Sequence, residues 1–393
     1  MINGEDTFGR GGTAMDETTR LWLWLNYATN RDSRLFFDLL SRVDDLSELY
    51  GAIRQKEYDV IDDVRGTVRE RLIAASDPTF LDRYCAWLQK NDVTVVTPES
   101  DAYPPLLNEI YDPPSLLFCK GRLPKELPLP IAMVGARNCT QYGRDVAELL
   151  GAQLSERGAT VVTGLAAGID SAAAKGALSA GADCPVIGVI GCGIDQVYPK
   201  ENKRLYDEVI ERGAIVTELL PKTPPLAANF PARNRILSGI SRGVVVIEAA
   251  ERSGTSITAD CAREQGREVF AVPGRITDPM SVGTNRMLVR GEAKPVTCAA
   301  DILSEFTDDA GDSALNSAAK QVTFTSLGPV GQEIYMALLQ GEKDADELLE
   351  WIDCPAPDLN AALTRLLFSE IIQQLPGRVY ALDTIHTVVT FDQ

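Results

Sequence analysis

The sequence holds a single histidine, His386, in 393 residues. That count argues against a histidine-dependent catalytic triad and against a multi-histidine metal site. The cysteines Cys85, Cys119, Cys139, Cys184, Cys192, Cys261, Cys298 and Cys354 are scattered, with no CxxC pair. Neither a zinc site nor a disulfide framework is therefore expected, and the thiols read as small, reduced hydrophobes. No run of about 18 apolar residues exists to span a bilayer. Glu5 and Asp6 stand where a secretory signal would place basic and then apolar residues, so a cytoplasmic protein with no membrane span is expected. Positive charge is also scarce: 38 Lys and Arg face 56 Asp and Glu, a net of −18. A chain of that balance does not coat nucleic acid by bulk electrostatics.

The charge is unevenly placed. Ile131 to Ala250 holds 12 basic and 12 acidic residues, whereas Ser304 to Gln393 holds 4 basic and 15 acidic ones. A polyanion site therefore belongs to the middle of the chain. With 45% hydrophobic and 24% charged residues, there is material for one large core and smaller flanking domains.

Residues 1–15 are Gly-rich and polar and are expected to be disordered. Over 16–100, apolar residues recur at helical spacing (Leu21, Trp24, Leu25; Leu35, Phe36, Leu39, Leu40; Tyr84, Trp87, Leu88), which predicts a small helical domain with its tryptophans in the core. Over 101–303, a proline-rich passage (Tyr103-Pro104-Pro105, Asp112-Pro113-Pro114) precedes a regular alternation. Short β-branched runs at Ile131–Val134, Thr160–Thr163, Pro185–Ile190, Ala214–Thr217, Gly243–Ile247 and Glu268–Val272 are separated by amphipathic stretches such as Tyr142–Arg157 and Ser256–Gln265. This predicts an α/β fold whose core is an extended Rossmann-like parallel sheet, with ligands at the C-terminal ends of the strands. Residues 304–327, rich in Ser, Asp, Ala and Thr, read as a linker. Residues 328–393 read as three helices followed by a hairpin turning at Pro376-Gly377, which is a winged-helix domain.

Five loops at the predicted strand ends carry the chemistry. Gly135-Ala136-Arg137-Asn138, ahead of a helix starting near Tyr142-Gly143, offers a glycine, free amide N–H groups and a planar guanidinium to phosphate oxygens. It lacks the full GxGxxG spacing, which argues against a dinucleotide site. Thr163-Gly164 through Gly168-Ile169-Asp170 is a glycine-rich turn capped at Asp170 or Ser171. Lys200 lies beside a helix start, where its charge opposes the helix dipole but suits a bound phosphate. Phe230-Pro231-Ala232-Arg233-Asn234-Arg235 places two arginines around an asparagine, immediately before an apolar helix. Ser253-Gly254-Thr255 pairs hydroxyls with glycine ahead of another helix. Together they form a site for a phosphodiester backbone, with no nucleophile and base to make it catalytic and no metal or cofactor required.

As an ordered set, these stretches resemble the DNA-processing protein A (DprA/Smf) family. Also matching are Tyr142-Gly143-Arg144, Tyr198-Pro199-Lys200-Glu201-Asn202 and Gly266-Arg267-Glu268-Val269-Phe270-Ala271-Val272-Pro273-Gly274. The resemblance implies a homodimer that binds and protects single-stranded DNA and assists RecA loading in natural transformation. It implies Arg137, Lys200, Arg233 and Arg235 as DNA-binding cations, with Asn138, Tyr142, Gly143, Thr163, Gly164, Gly168, Asn234 and the Ser253-Gly254-Thr255 turn around them. It also implies that the N-terminal helical domain is of the SAM or helix-hairpin-helix kind.

Two positions depart from the family pattern: Ala167 stands where a basic residue is usual, and Ala174 where a histidine is usual. The third helix of the winged-helix domain, Asp358 to Glu370, carries only Arg365 as a cation, so this domain is expected to contact protein rather than duplex DNA. The enzymatic alternative is a nucleotide phosphoribohydrolase of the lysine-decarboxylase-like (LOG) group. Its PGGxGTxxE motif is not matched by Glu248-Ala249-Ala250-Glu251-Arg252-Ser253-Gly254-Thr255, which lacks the PGG, and no trailing glutamate follows. A nucleotide-sensing Rossmann protein is the further alternative.

Overall fold

A computed structural model describes residues 15–30, 32–64, 66–251, 253–306, 320–369, 371–375, 377–382 and 387–390. The chain divides into two compact units between Ile302 and Leu303. The expected disordered N-terminus lies, but for Met15, outside the described residues, as does His386.

The first unit opens with α1 (Glu17–Thr29), α2 (Ser33–Leu40), α3 (Leu46–Arg54), α4 (Thr67–Ala75) and α5 (Pro78–Lys90). Asp16, Asp32, Asp45 and Asp77 accept backbone N–H groups at the starts of α1, α2, α3 and α5, which fixes where those helices begin. Leu21 through Leu25 are all buried, so α1 is the central helix, covered all round by its neighbours. Trp24 donates its indole N–H to the Leu72 carbonyl at 3.1 Å. Trp22 and Trp24 are core residues, as expected, but Trp87 is only half-buried.

The sheet contains β1 (Thr94–Val96), β2 (Leu117–Gly121), β3 (Pro130–Val134), β4 (Thr160–Thr163), β5 (Val186–Val189), β6 (Ala214–Thr217), β7 (Gly243–Val246), β8 (Glu268–Ala271) and β9 (Lys294–Pro295). Their spatial order is β1-β2-β6-β5-β4-β3-β7-β8-β9. From β6 to β9 every pairing is parallel, whereas β1 and β2 add an antiparallel edge. Strands β3 to β7 are buried along their whole length, which explains their unbroken apolar runs. Covering helices are α6 (Gln141–Glu156), α7 (Ile169–Ser179), α8 (Lys203–Arg212), α9 (Asn229–Ile240), α10 (Gly254–Glu264), α11 (Val282–Val289) and α12 (Ala299–Leu303). The chain moves from β3 outward to β6 and then returns to β7 on the other side of β3. This Rossmann-like reversal opens a crevice outside the C-terminal ends of β3 and β7.

The helices α1–α5 and the sheet, read from the sequence as two domains, form one compact unit. Polar contacts join them: Asn26 donates to Ser115 Oγ at 2.9 Å, and Ser33 donates to Asp112. Partial burial alone would raise the Asp112 pKa. The Ser33 hydroxyl and the Arg235 guanidinium outweigh it and hold the carboxyl below its ordinary 3.8. A depressed carboxylate stabilises the fold above its unfolded value, and that contribution is lost as pH falls through the lower folded value. Asp112→Asn is expected to flatten this part of the acid-unfolding limb while slightly lowering stability at neutral pH. Fluorescence-monitored acid titration of both proteins checks it, and an unchanged acid limb would count against the assignment.

The second unit contains β10 (Lys320–Thr323), α13 (Pro329–Leu338), β11 (Lys343–Asp344), α14 (Ala345–Trp351), α15 (Ala356–Phe368), β12 (Ile372–Leu375), β13 (Val379–Leu382) and β14 (Thr387–Thr390). Helix, strand, two helices and hairpin follow in winged-helix order, with β11-β13-β12 as the small sheet. The end of the expected linker is ordered. Lys320–Thr323 pairs in parallel with Thr387–Thr390, and Leu327 is buried in this unit's core. The apolar positions Val322, Phe324 and Leu327 anchor this stretch against its polar composition.

Candidate nucleic-acid interface

Four of the five loops meet around the crevice. Thr140 caps α6 by accepting the Gly143 N–H at 3.0 Å, and its own N–H donates to Glu248 Oε2 at 2.9 Å. The Thr140 hydroxyl also donates to Glu248, a fully buried carboxylate at the end of β7. Glu248 thus clamps the loop after β3. A Cβ on Gly143 would lie 2.3 Å from its carboxyl carbon, so only glycine fits there.

The loop after β4 is held from within. Asp170 accepts the Gly164 N–H at 3.1 Å, and the Thr163 hydroxyl donates to the Asp170 carbonyl at 3.2 Å. Gly168 adopts φ +82°, and a Cβ there would meet the carbonyls of Ala136 and Arg137 at 2.4 Å. A Cβ on Gly164 would meet the Arg233 guanidinium at 2.3 Å. These two glycines let the loops and Arg233 pack together. Gly254 is different: a side chain there would meet nothing within 4 Å, so its backbone is open to an incoming ligand.

A cleft of about 280 Å³ results, lined by six of the predicted residues: Arg137, Arg233, Asn234, Ser253, Gly254 and Thr255. Arg137 is exposed, with its guanidinium 4.8 Å from the centre of the Phe230 ring. Phe230 in turn packs 5.6 Å from Tyr198. Ser253 caps α10, accepting the Thr255 N–H at 3.2 Å, so the positive end of that helix faces the cleft. Arg233 is buried and donates to the Val189 carbonyl, while its Nε has no partner among the described residues. Burial pulls the Arg233 pKa down against the pull of Asp170, and burial pushes Asp170 up against the pull of Arg233. A phosphate at the cleft floor would favour the charged guanidinium.

The structure separates the two arginines that the sequence placed together. The helix begins at Asn229, so Arg233 and Arg235 lie within it rather than before it. Residues two apart on a helix point to different faces. Arg235 turns away from the cleft and pairs with Glu218 at 2.7 Å and Asp112 at 3.1 Å. Thr163, Gly164 and Gly168 support the cleft from behind, and Gly143 backs onto Glu248. Asn138 is exposed outside the lining, and Tyr142 borders a neighbouring hollow, donating to the Pro273 carbonyl at 3.1 Å. Lys200 is exposed in a 3-10 turn and forms no ion pair among the described residues. Its loop is tied to that of β4 by Asn202, which donates to the Leu165 carbonyl at 3.0 Å and to Ser171 Oγ at 2.8 Å.

Sequence reasoning missed Phe230, Asp170 and Glu248 as parts of the site. An aromatic directly before an arginine-rich helix was the available signal for Phe230. Glu248 had none, because its partner Thr140 is 108 residues away. Burial pushes the Cys192 thiol up to about 11, which removes it as a nucleophile at neutral pH.

Residues 94–307 match the family model described as DNA recombination-mediator protein A. Protein Smf of Escherichia coli K12 is 37% identical over 302 residues, covering 74% of this chain and 78% of that protein. The chain belongs to the DNA recombination-mediator protein A (DprA/Smf) family. The DNA processing protein DprA of Streptococcus pneumoniae R6 is 46% identical over 206 residues, covering 52% of this chain and 72% of that protein. The X-ray structure of DprA from S. pneumoniae superimposes with a TM-score of 0.63 at 36% identity, over 75% of this chain and all of that one. The family match begins at the first residue of β1 and takes in every residue of the cleft, while α1–α5 and most of the second unit lie outside it.

Ala167 is exposed in the loop after β4, whereas Ala174 is fully buried in α7. A cation can therefore be placed at the first position but not at the second. Ala167→Lys is expected to strengthen single-strand binding and to steepen its log–log salt dependence by about 0.7, the value of one added phosphate contact. Anisotropy titrations at several salt concentrations read both quantities. An unchanged slope would place Ala167 off the path of the strand.

Proposed function

We propose that this protein binds single-stranded DNA along the C-terminal edge of its sheet, without catalysis, and delivers the strand to RecA in transformation and recombination. The observation that carries this reading is the pairing, in one open cleft, of Arg137 over the Phe230 ring with the exposed α10 start at Ser253-Gly254-Thr255. A cation, an aromatic face and the open backbone at Gly254 suit a phosphate–base repeat and carry no base-specific pattern. The carboxylates near the cleft are occupied in holding loops: Glu248 by Thr140 and Asp170 by Gly164. That occupation speaks against general acid–base work and against the phosphoribohydrolase alternative.

The acidic second unit exposes Met336, Leu339, Trp351 and Phe368, which supports a protein rather than a duplex as its partner. Self-association as a homodimer is part of the same proposal. Among the described residues no helix is long and apolar enough to cross a membrane, and the proposed site of action is the cytoplasm.

Fluorescence anisotropy of a labelled poly-dT strand across a salt series, with duplex DNA alongside, tests the reading. Preferential single-strand binding that weakens with salt is expected. No binding at low salt, or equal binding of duplex, overturns it.

A further inference from the structure

Trp87 leads to a second feature of the first unit. Between α5 and the loop that follows β6 lies a groove of about 420 Å³, lined by Tyr27, Phe80, Tyr84 and Trp87 with Leu220 and Pro221, and bordered by Arg83 and Lys222. The rings of Tyr27 and Phe80 are 4.7 Å apart, and Tyr84 lies 6.2 Å from each. The Tyr84 hydroxyl is buried and has no hydrogen-bond partner among the described residues, although a phenol taken from water normally finds one. Arg83 and Lys222 are both exposed and form no ion pair among the described residues. The nearest acid on α5, Asp82, is already paired with Arg20.

The groove is placed where a strand leaving the cleft would arrive. Leu220 to Lys222 follow the C-terminal end of β6, on the same sheet edge as Arg137 after β3 and Lys200 after β5. β6 is three strands from β3, or roughly 14 Å at ~4.8 Å per strand. In strand order, the connections after β3, β5 and β6 carry Arg137, Lys200 and Lys222, and Arg83 borders the groove.

We propose that this groove is a nucleobase subsite for the same single strand: a base stacks among Tyr27, Phe80, Tyr84 and Trp87, while Lys222 and Arg83 hold the flanking phosphates. The proposal rests on the single-strand reading above and extends the bound length beyond the cleft onto the helical part of the unit. Aromatic stacking tolerates every base, as a general strand binder requires. A protein helix is the competing occupant, and two exposed cations without an ion pair among the described residues, beside aromatic faces, favour nucleic acid over it.

The test uses the full chain and poly-dT strands of increasing length. For wild type, affinity rises in two steps, the first for strands that fill the cleft and the second for strands that also reach the groove. Trp87→Ala removes about tenfold of the long-strand affinity, equal to ~1.4 kcal/mol of stacking, and leaves short strands unaffected. Arg83→Ala/Lys222→Ala, which changes exposed side chains only, lowers the long-strand salt slope by about 0.7 per cation. Photocrosslinking of a 5-iodouracil strand maps to Trp87, Tyr84, Tyr27 or Phe80 as well as to Phe230. If long-strand binding is normal in both variants and crosslinks stop at Phe230, the subsite is overturned while the single-strand reading stands. If wild type binds no strand of any length, both fail together.

Discussion

Replacing Arg137 and Lys200 together by alanine is expected to weaken single-strand binding roughly thirtyfold at low salt, which corresponds to about 2 kcal/mol. Both side chains are exposed and neither forms an ion pair among the described residues. Neither side chain belongs to the core, so the thermal midpoint stays within a degree or so of wild type. The log–log salt slope falls by about 1.4, because each lost phosphate contact on a single strand is worth about 0.7. Arg137→Ala alone has the larger share, since it also uncovers the Phe230 ring that its guanidinium covers at 4.8 Å. Anisotropy and calorimetric melting on the same samples decide the matter. A variant that keeps wild-type affinity and slope would remove the strand from this edge of the sheet.

Arg235→Ala should do the opposite. Its guanidinium bridges Glu218 at 2.7 Å and Asp112 at 3.1 Å, with its side chain 16% and that of Glu218 9% exposed. Removing the cation takes a charge-assisted partner from a nearly buried carboxylate, and breaking comparable buried pairs costs about 3–5 kcal/mol. The first unit should unfold at markedly lower denaturant concentration, while the folded protein binds poly-dT with nearly unchanged affinity and salt slope. Arg235→Lys is intermediate, because a single ammonium cannot reproduce the two-pronged geometry. Chemical denaturation followed by titration below the transition separates the two quantities. Loss of binding in a variant of full stability would return Arg235 to the interface.

The contrast between these arginines shows how far a linear reading reaches. Phe230-Pro231-Ala232-Arg233-Asn234-Arg235 signals cations beside a helix, and residue type alone makes all of them candidates for phosphate. Starting the helix at Asn229 rather than after Arg235 sends Arg233 under the cleft and Arg235 to the far face. The glycines behave similarly. Gly164, Gly168 and Gly254 read alike as approach points for a phosphate, yet two of them are filled by neighbouring protein atoms and only Gly254 meets open space.

The sequence by itself determined the α/β class, the six parallel strands from β3 to β8, the winged-helix order of the second unit and the five loops at the strand ends. Each is a local pattern: apolar period, capping residue, or glycine and hydroxyl ahead of a helix. The antiparallel edge of β1 and β2 escaped it, since β1 is three residues long and the passage around β2 is dominated by proline. Only the tertiary structure decided that α1–α5 and the sheet share one unit, that Glu248 holds Thr140 across 108 residues, and that Trp87 faces a groove instead of the core. Such contacts join residues distant in the chain, and their energies depend on burial and geometry that exist only once the chain has folded.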